Sequence, residues 1–194
     1  MNKPSSNPNQ ALFFLSLAVL CAALSRLIPH PFNFTPIGAM ALFAGTGFQR
    51  KWLAFMMPLS AMLISDVILQ LSHGTGFHST MWAVYGSFAL IVCIGFLLRS
   101  RLSLSTIILA SLASSLVFFL ITNFAVWLGA AEYGHNFAGL LSCYAAGIPF
   151  YNHDLFGSAL MNTVMGDLFF SAILFGIYKL ASLKFPELAR IKSR

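Results

Sequence analysis

The chain has 194 residues, 58% of them hydrophobic and only 8% charged, against roughly 25% charged in ordinary soluble domains. Mean hydropathy is +0.82, and so few polar side chains cannot cover the surface of a soluble fold. A cytosolic globular enzyme, a disordered tail and a nucleic-acid-binding module are all excluded. The chain reads as an integral membrane protein.

Eleven Lys and Arg against five Asp and Glu give a net charge of +6, which in a soluble protein would suggest nucleic acid. Here the positives fall between apolar runs, at Arg50-Lys51, at Arg99 and Arg101, and from Lys179 to Arg194. That spacing is the orientation signal of cytoplasmic loops. The three cysteines, Cys21, Cys93 and Cys143, form no CxxC pair and no disulfide framework.

In chain order, residues 1–10 are polar with two prolines and read as a disordered lead-in. Residues 11–181 form the transmembrane domain and 182–194 a basic cytoplasmic tail. The apolar segments are Ala11–Ile28, Pro36–Phe48, Trp52–Leu71, Met81–Leu98, Leu104–Gly129 and Phe156–Ala181. The first exceeds the usual signal-peptide core of about 7–15 residues and reads as an uncleaved span. Five segments approach the roughly 20 residues that a bilayer crossing needs. Pro36–Phe48, about 13 residues, spans only if tilted or extended by Phe32–Thr35.

With six spans and the N-terminus inside, ten of the eleven positive residues are cytoplasmic and only Arg26 lies near the outer face. Five spans with the N-terminus outside score equally well, because Arg26 and Lys3 then exchange sides. Both topologies put Ser72–Thr80 and Ala130–Leu155 outside, with His73, His78, His135, His153, Glu132 and Asp154. In the six-span arrangement His30 joins them.

Asp66 lies near the outer end of its segment and Asp167 near the middle of the last one. Ionisable side chains inside a membrane are expensive and face a bundle interior or a wet cavity. Thr163 and Asp167 share a helix face, and Asn123 lies in the outer third of the fifth segment. Such a polar strip, with Tyr85 one turn into the fourth segment, lines a ligand pocket or serves interhelical hydrogen bonding. Asp66, His73 and His78 are a loose candidate set for a divalent ion. The small-xxx-small patterns Ala18–Ala22 and Ala41–Gly45 permit close helix approach, within the bundle or against a partner. There is no GxxxxGK[ST] loop, HExxH helix or GxSxG elbow.

The stretch Arg26-Leu27-Ile28-Pro29-His30-Pro31-Phe32-Asn33-Phe34-Thr35-Pro36-Ile37-Gly38-Ala39-Met40-Ala41-Leu42-Phe43-Ala44-Gly45, with Ser65-Asp66 and Gly166-Asp167-Leu168-Phe169-Phe170, resembles a family of uncharacterised bacterial membrane proteins. That family looks like the substrate-binding S-components of energy-coupling-factor (ECF) vitamin transporters, most of all the solitary cobalamin-type members. The resemblance implies an all-α bundle of six transmembrane helices, both termini cytoplasmic, in the bacterial inner membrane. It implies an outward pocket closed by His30–Thr35, Ser72–Thr80 and Ala130–Leu155, and an ECF-type coupling subunit with its ATPases docking on Ala18 and Ala22. Ser72–Thr80 carries no cysteine to ligate cobalt, which points away from a corrinoid.

The expectation is therefore a small-solute uptake protein with no cofactor and no catalytic residues. Its substrate-binding residues would be Asp66, Tyr85, His30, Asn33, His78, Asn123 and Asp167. The alternative is a membrane enzyme or divalent-metal-handling protein using Asp66 and the external histidines.

Overall fold

The computed structural model describes residues 8–31, 33–148 and 159–184, and among them there is no strand. Seven helices follow in order: α1 (Pro8–Leu24), closed by a 3-10 turn at Ser25–Leu27, α2 (Ile37–Gly47), α3 (Lys51–His73), α4 (Met81–Leu98), α5 (Leu104–Gly129), α6 (Phe137–Ala146) and α7 (Ala159–Lys184). Five helices, all but α2 and α6, carry stretches long and apolar enough to cross a membrane. Their outward faces expose large apolar side chains such as Phe13, Leu97, Leu109 and Leu180. The chain is a multi-pass membrane protein.

Of the six spans expected, the second is only half a span. Eleven residues of α2 rise about 16 Å, against about 30 Å of hydrocarbon. Pro29, Pro31 and Pro36 keep the preceding stretch out of a helix. Ten of the eleven residues of α2 are buried, because α1, α3, α4, α5 and α7 all pack around it. Irregular backbone at membrane depth is tolerated where protein encloses it or it lines a cavity. Asn33 and Thr35 meet that condition, since both line a cavity.

Contacts between helices fix their directions. Arg26, just past α1, reaches Asp66 in the last third of α3, so α1 and α3 run the same way. Arg99, just past α4, donates to the Gly45 carbonyl from Nε at 2.8 Å and to the Phe48 carbonyl from Nη2, so α2 and α4 end together. Ser111 and Ser115 of α5 meet Ser171 and Asp167 of α7, which makes those two antiparallel. One end of the bundle thus gathers Arg50, Lys51, Arg99, Arg101 and Lys179, the start of α1 and the finish of α7. The other gathers His30, His73, His78, Glu132 and His135. We call them the basic end and the histidine-rich end.

The small-residue patterns turn inward. At Gly45 a side chain would collide with the Val92 carbonyl and with Gly95 of α4, so the two backbones touch there. On α1, Ala22 is buried with Leu15, Val19 and Ala23, and Ala18 is partly buried against the same core. Leu12, Phe13, Leu17 and Leu20 occupy the opposite, exposed side. In this packing the expected docking residues Ala18 and Ala22 face the bundle, because a short helix behind them needs room. Helix α1 also starts at Pro8, inside the stretch expected to be disordered; proline suits a first helical turn.

Candidate functional site

Two of the three motifs that carry the sequence resemblance meet in space. Gly166 lies against the backbone of Phe34 and Thr35, and the Phe34 ring packs on Phe169 and Phe170 at 5.7 and 5.8 Å between centroids. The Asp167 carboxylate sits at the N-terminus of α2. It accepts from the Ala39 N–H at 3.1 Å and from Ser115 Oγ at 2.7 Å, and the Gly38 N–H adds a third bond. A negative charge is favoured there by the unsatisfied N–H groups and the helix dipole. Glycine at 38 leaves room for this contact, since a Cβ would overlap that carboxylate.

Nearer the histidine-rich end, Asp66 is fully buried. Its Oδ1 accepts from Arg26 Nη1 at 2.6 Å and its Oδ2 from the Tyr85 hydroxyl at 2.9 Å. The same Nη1 also donates to Ser65 Oγ at 2.6 Å. This ion pair fixes the guanidinium, whose side chain is 13% exposed, in the wall of a cavity of about 580 Å³. Volumes of this order suit small-molecule ligands.

The cavity lies between the ends of α3, α4 and α5, with residues 33–37 forming its floor and α6 one flank. Its polar lining includes Arg26, Asn33, Thr35, His78, Thr122, Asn123 and Thr163; Met62, Val84, Phe118 and Phe119 are among the apolar residues. Local structure explains how these residues are held. Asn33 adopts a left-handed conformation, φ 62°, which asparagine tolerates better than most residues. Gln70 Oε1 accepts the N–H groups of Gly76 and Phe77, folding the turn after α3 back over the cavity. His78 Nδ1 lies 2.9 Å from Thr80 Oγ1. The α6 helix is started by Asn136, whose side chain accepts from the Gly139 N–H, and is tied to α5 by the Tyr144 hydroxyl on the Leu120 carbonyl. Cys143, buried beside the cavity, donates to the Asn123 carbonyl, and its burial pushes the thiol above its usual pKa.

The expected binding residues separate into three groups. Asn33, His78 and Asn123 line the cavity. Asp66 and Tyr85 stand behind its wall, with Asp66 turned to Arg26 rather than to the cavity. Asp167 is deeper, and His30 turns its Nδ1 to the Ile28 carbonyl at 2.6 Å. The loose metal set does not assemble: Asp66 is engaged by Arg26 and Tyr85, and no group of three potential ligands occurs among the described residues. His153 and Asp154 lie outside them. Sequence reasoning missed Arg26, Thr35 and Thr122 as lining residues. For Arg26 the only signal was charge: it is the one Lys or Arg that the sequence places toward the histidine-rich end, and pairing with a cation is one way to bury an aspartate.

A second cavity, about 560 Å³, opens at the basic end beside Arg99, Lys179 and Ser171. Thr163 lines the first cavity and Ser171 the second, eight residues or about 12 Å apart along α7. Asp167 lies between them.

A family of unknown function, DUF6580, matches residues 6–188. The chain belongs to that family. No curated protein and no solved structure matches it.

Proposed function

We propose that this protein is an uptake protein for a small solute, built like an ECF S-component, that receives its ligand in the cavity at the histidine-rich end. The cavity's form carries this reading. It has the volume of a ligand site and a wall that mixes apolar side chains with polar groups, several of them held by contacts outside it. Non-helical backbone at its floor fits the same role, since transporters build binding sites where helices break at mid-membrane.

In this reading the basic end faces the cytoplasm, by the distribution of Lys and Arg, and the cavity opens outward from the bacterial inner membrane. The chain traverses the bundle six times, counting residues 28–36 with α2 as one return. The second cavity, beyond Asp167, supports a path with two mouths separated by a single polar layer. Movement of solute then needs either a rocking motion with an ATP-driven coupling subunit or slow solitary transport. Because Ala18 and Ala22 are turned inward, such a subunit would meet the Leu12, Phe13, Leu17 and Leu20 side of α1.

Native mass spectrometry of gently extracted protein tests the reading, with the expectation of one intact organic molecule per chain. Stoichiometric metal that chelators remove would favour the metal-handling alternative instead. Labelling of single cysteines at positions 5 and 193 from each side of the membrane checks the orientation. Both should react only from the cytoplasm.

A further inference from the structure

The cavity's one Lys or Arg has a definite free side. A guanidinium carries five N–H donors. In Arg26 both protein bonds leave from Nη1, one to Asp66 and one to Ser65. The Nε–H and the two Nη2–H groups have no acceptor among the described residues. Nε and Nη2 together form the side edge of the fork, two parallel N–H bonds that match the two oxygens of a carboxylate. The residue lines the cavity with its side chain 13% exposed, and neither Nε nor Nη2 is sealed off from solvent, so the edge is accessible to an acceptor. Asp66 and Ser65 hold the group by Nη1 alone and leave the Nε/Nη2 edge open.

We infer that the solute is an organic monocarboxylate whose carboxylate seats on the Nε/Nη2 edge of Arg26 and whose body lies against Met62, Val84, Phe118 and Phe119. The inference rests on the uptake reading and narrows it to one ligand class. A single Lys or Arg sits in the lining, and Asp66 already matches its charge, so what it offers a ligand is the two parallel N–H donors of the free edge. A dianion such as phosphate would bring two charges to a pair that is already neutral, a carboxylate only one. The apolar wall selects for a hydrophobic body, while Thr122 and Asn123 stand along the same wall to meet any polar substituent.

The test uses the purified full chain in nanodiscs, with calorimetry and thermal shift as readouts. The probes are acetate, butanoate, benzoate and phenylacetate, each beside its carboxamide, together with inorganic phosphate. The acids should bind, more tightly as the apolar body grows, and each should exceed its amide by about 10- to 100-fold, as expected for a charge-assisted bidentate pair. Arg26→Gln should erase that preference. Since this variant strands Asp66 and risks unfolding, Arg26→Gln combined with Asp66→Asn removes both charges and keeps the shape. A preference for acids that survives in the folded double variant overturns the inference, as does binding of phosphate in place of the carboxylates. Equal binding of acids and amides overturns it too, while leaving the uptake cavity standing. If no probe binds and native spectra show only the bare chain, both readings fall.

Discussion

Two buried carboxylates organise this bundle by opposite means. Asp66, toward the histidine-rich end, is neutralised by a cation, with Tyr85 completing its shell. Asp167, deeper in, has neutral donors: two backbone N–H groups of α2 and the Ser115 hydroxyl. One is half of an ion pair that shapes a cavity wall. The other is a cap that seats a short helix. Both looked alike as lone acids in apolar segments, so burial alone says little about what an acid does; its partners decide.

The comparison can be broken most forcefully at Asp66. Asp66→Leu leaves Arg26 buried without its counter-charge, and losing one partner of a buried pair costs about 3–5 kcal/mol. Thermal unfolding in detergent should show the loss, and adding Arg26→Met should recover most of it. No recovery would mean that the pair does not act as a unit. Asp167→Leu should cost about 1–3 kcal/mol through donors left without an acceptor, and no change at a charged residue should rescue it. Rescue by removal of a cation would make the two sites the same kind after all.

Gly38→Ala sharpens the second site. Its Cβ enters the space of the Asp167 carboxylate, an overpacking penalty of about 1–3 kcal/mol. Combined with Asp167→Ser, which vacates that space, the alanine should become nearly neutral, a coupling that a double-mutant cycle reads directly. Tyr85→Phe is the smallest perturbation. Arg26 still compensates Asp66, so stability should fall by about 1 kcal/mol. A loss as large as that of Asp66→Leu would show the hydroxyl, not the guanidinium, to be the main partner.

Much of this was legible beforehand. The segments read as Trp52–Leu71, Met81–Leu98 and Leu104–Gly129 correspond closely to α3, α4 and α5, because length and apolar composition alone define a crossing. Asp66, Asp167, Asn33, His78 and Asn123 stood out as polar groups in apolar surroundings or near the outer face. What stayed hidden depends on pairing across the bundle. Arg26 was counted as an orientation charge, and nothing local reveals that it meets an aspartate forty residues on. The inward turn of Ala22 depends on the presence of α2 behind it. The α6 helix went unread inside Ala130–Leu155, although Asn136 before an apolar run is a starting signal for a helix.

The two-ended fastening of α2 bears on how the protein is made. Asp167 holds its first turn and Arg99 its last carbonyls, so the helix dipole lies between a negative and a positive charge. Yet Asp167 is separated from Ala39 by 128 residues of chain. At about 5–20 residues per second, a nascent chain that has finished α2 waits on the order of ten seconds for its cap. During that wait a helix too short to cross the bilayer has an open, polar N-terminus and no anchor but its neighbours. The N-terminal cap of α2 is therefore complete only once α7 has been made. Chains interrupted between Gly129 and Met165 hold four of the five long apolar helices and lack both α7 and the cap it supplies to α2.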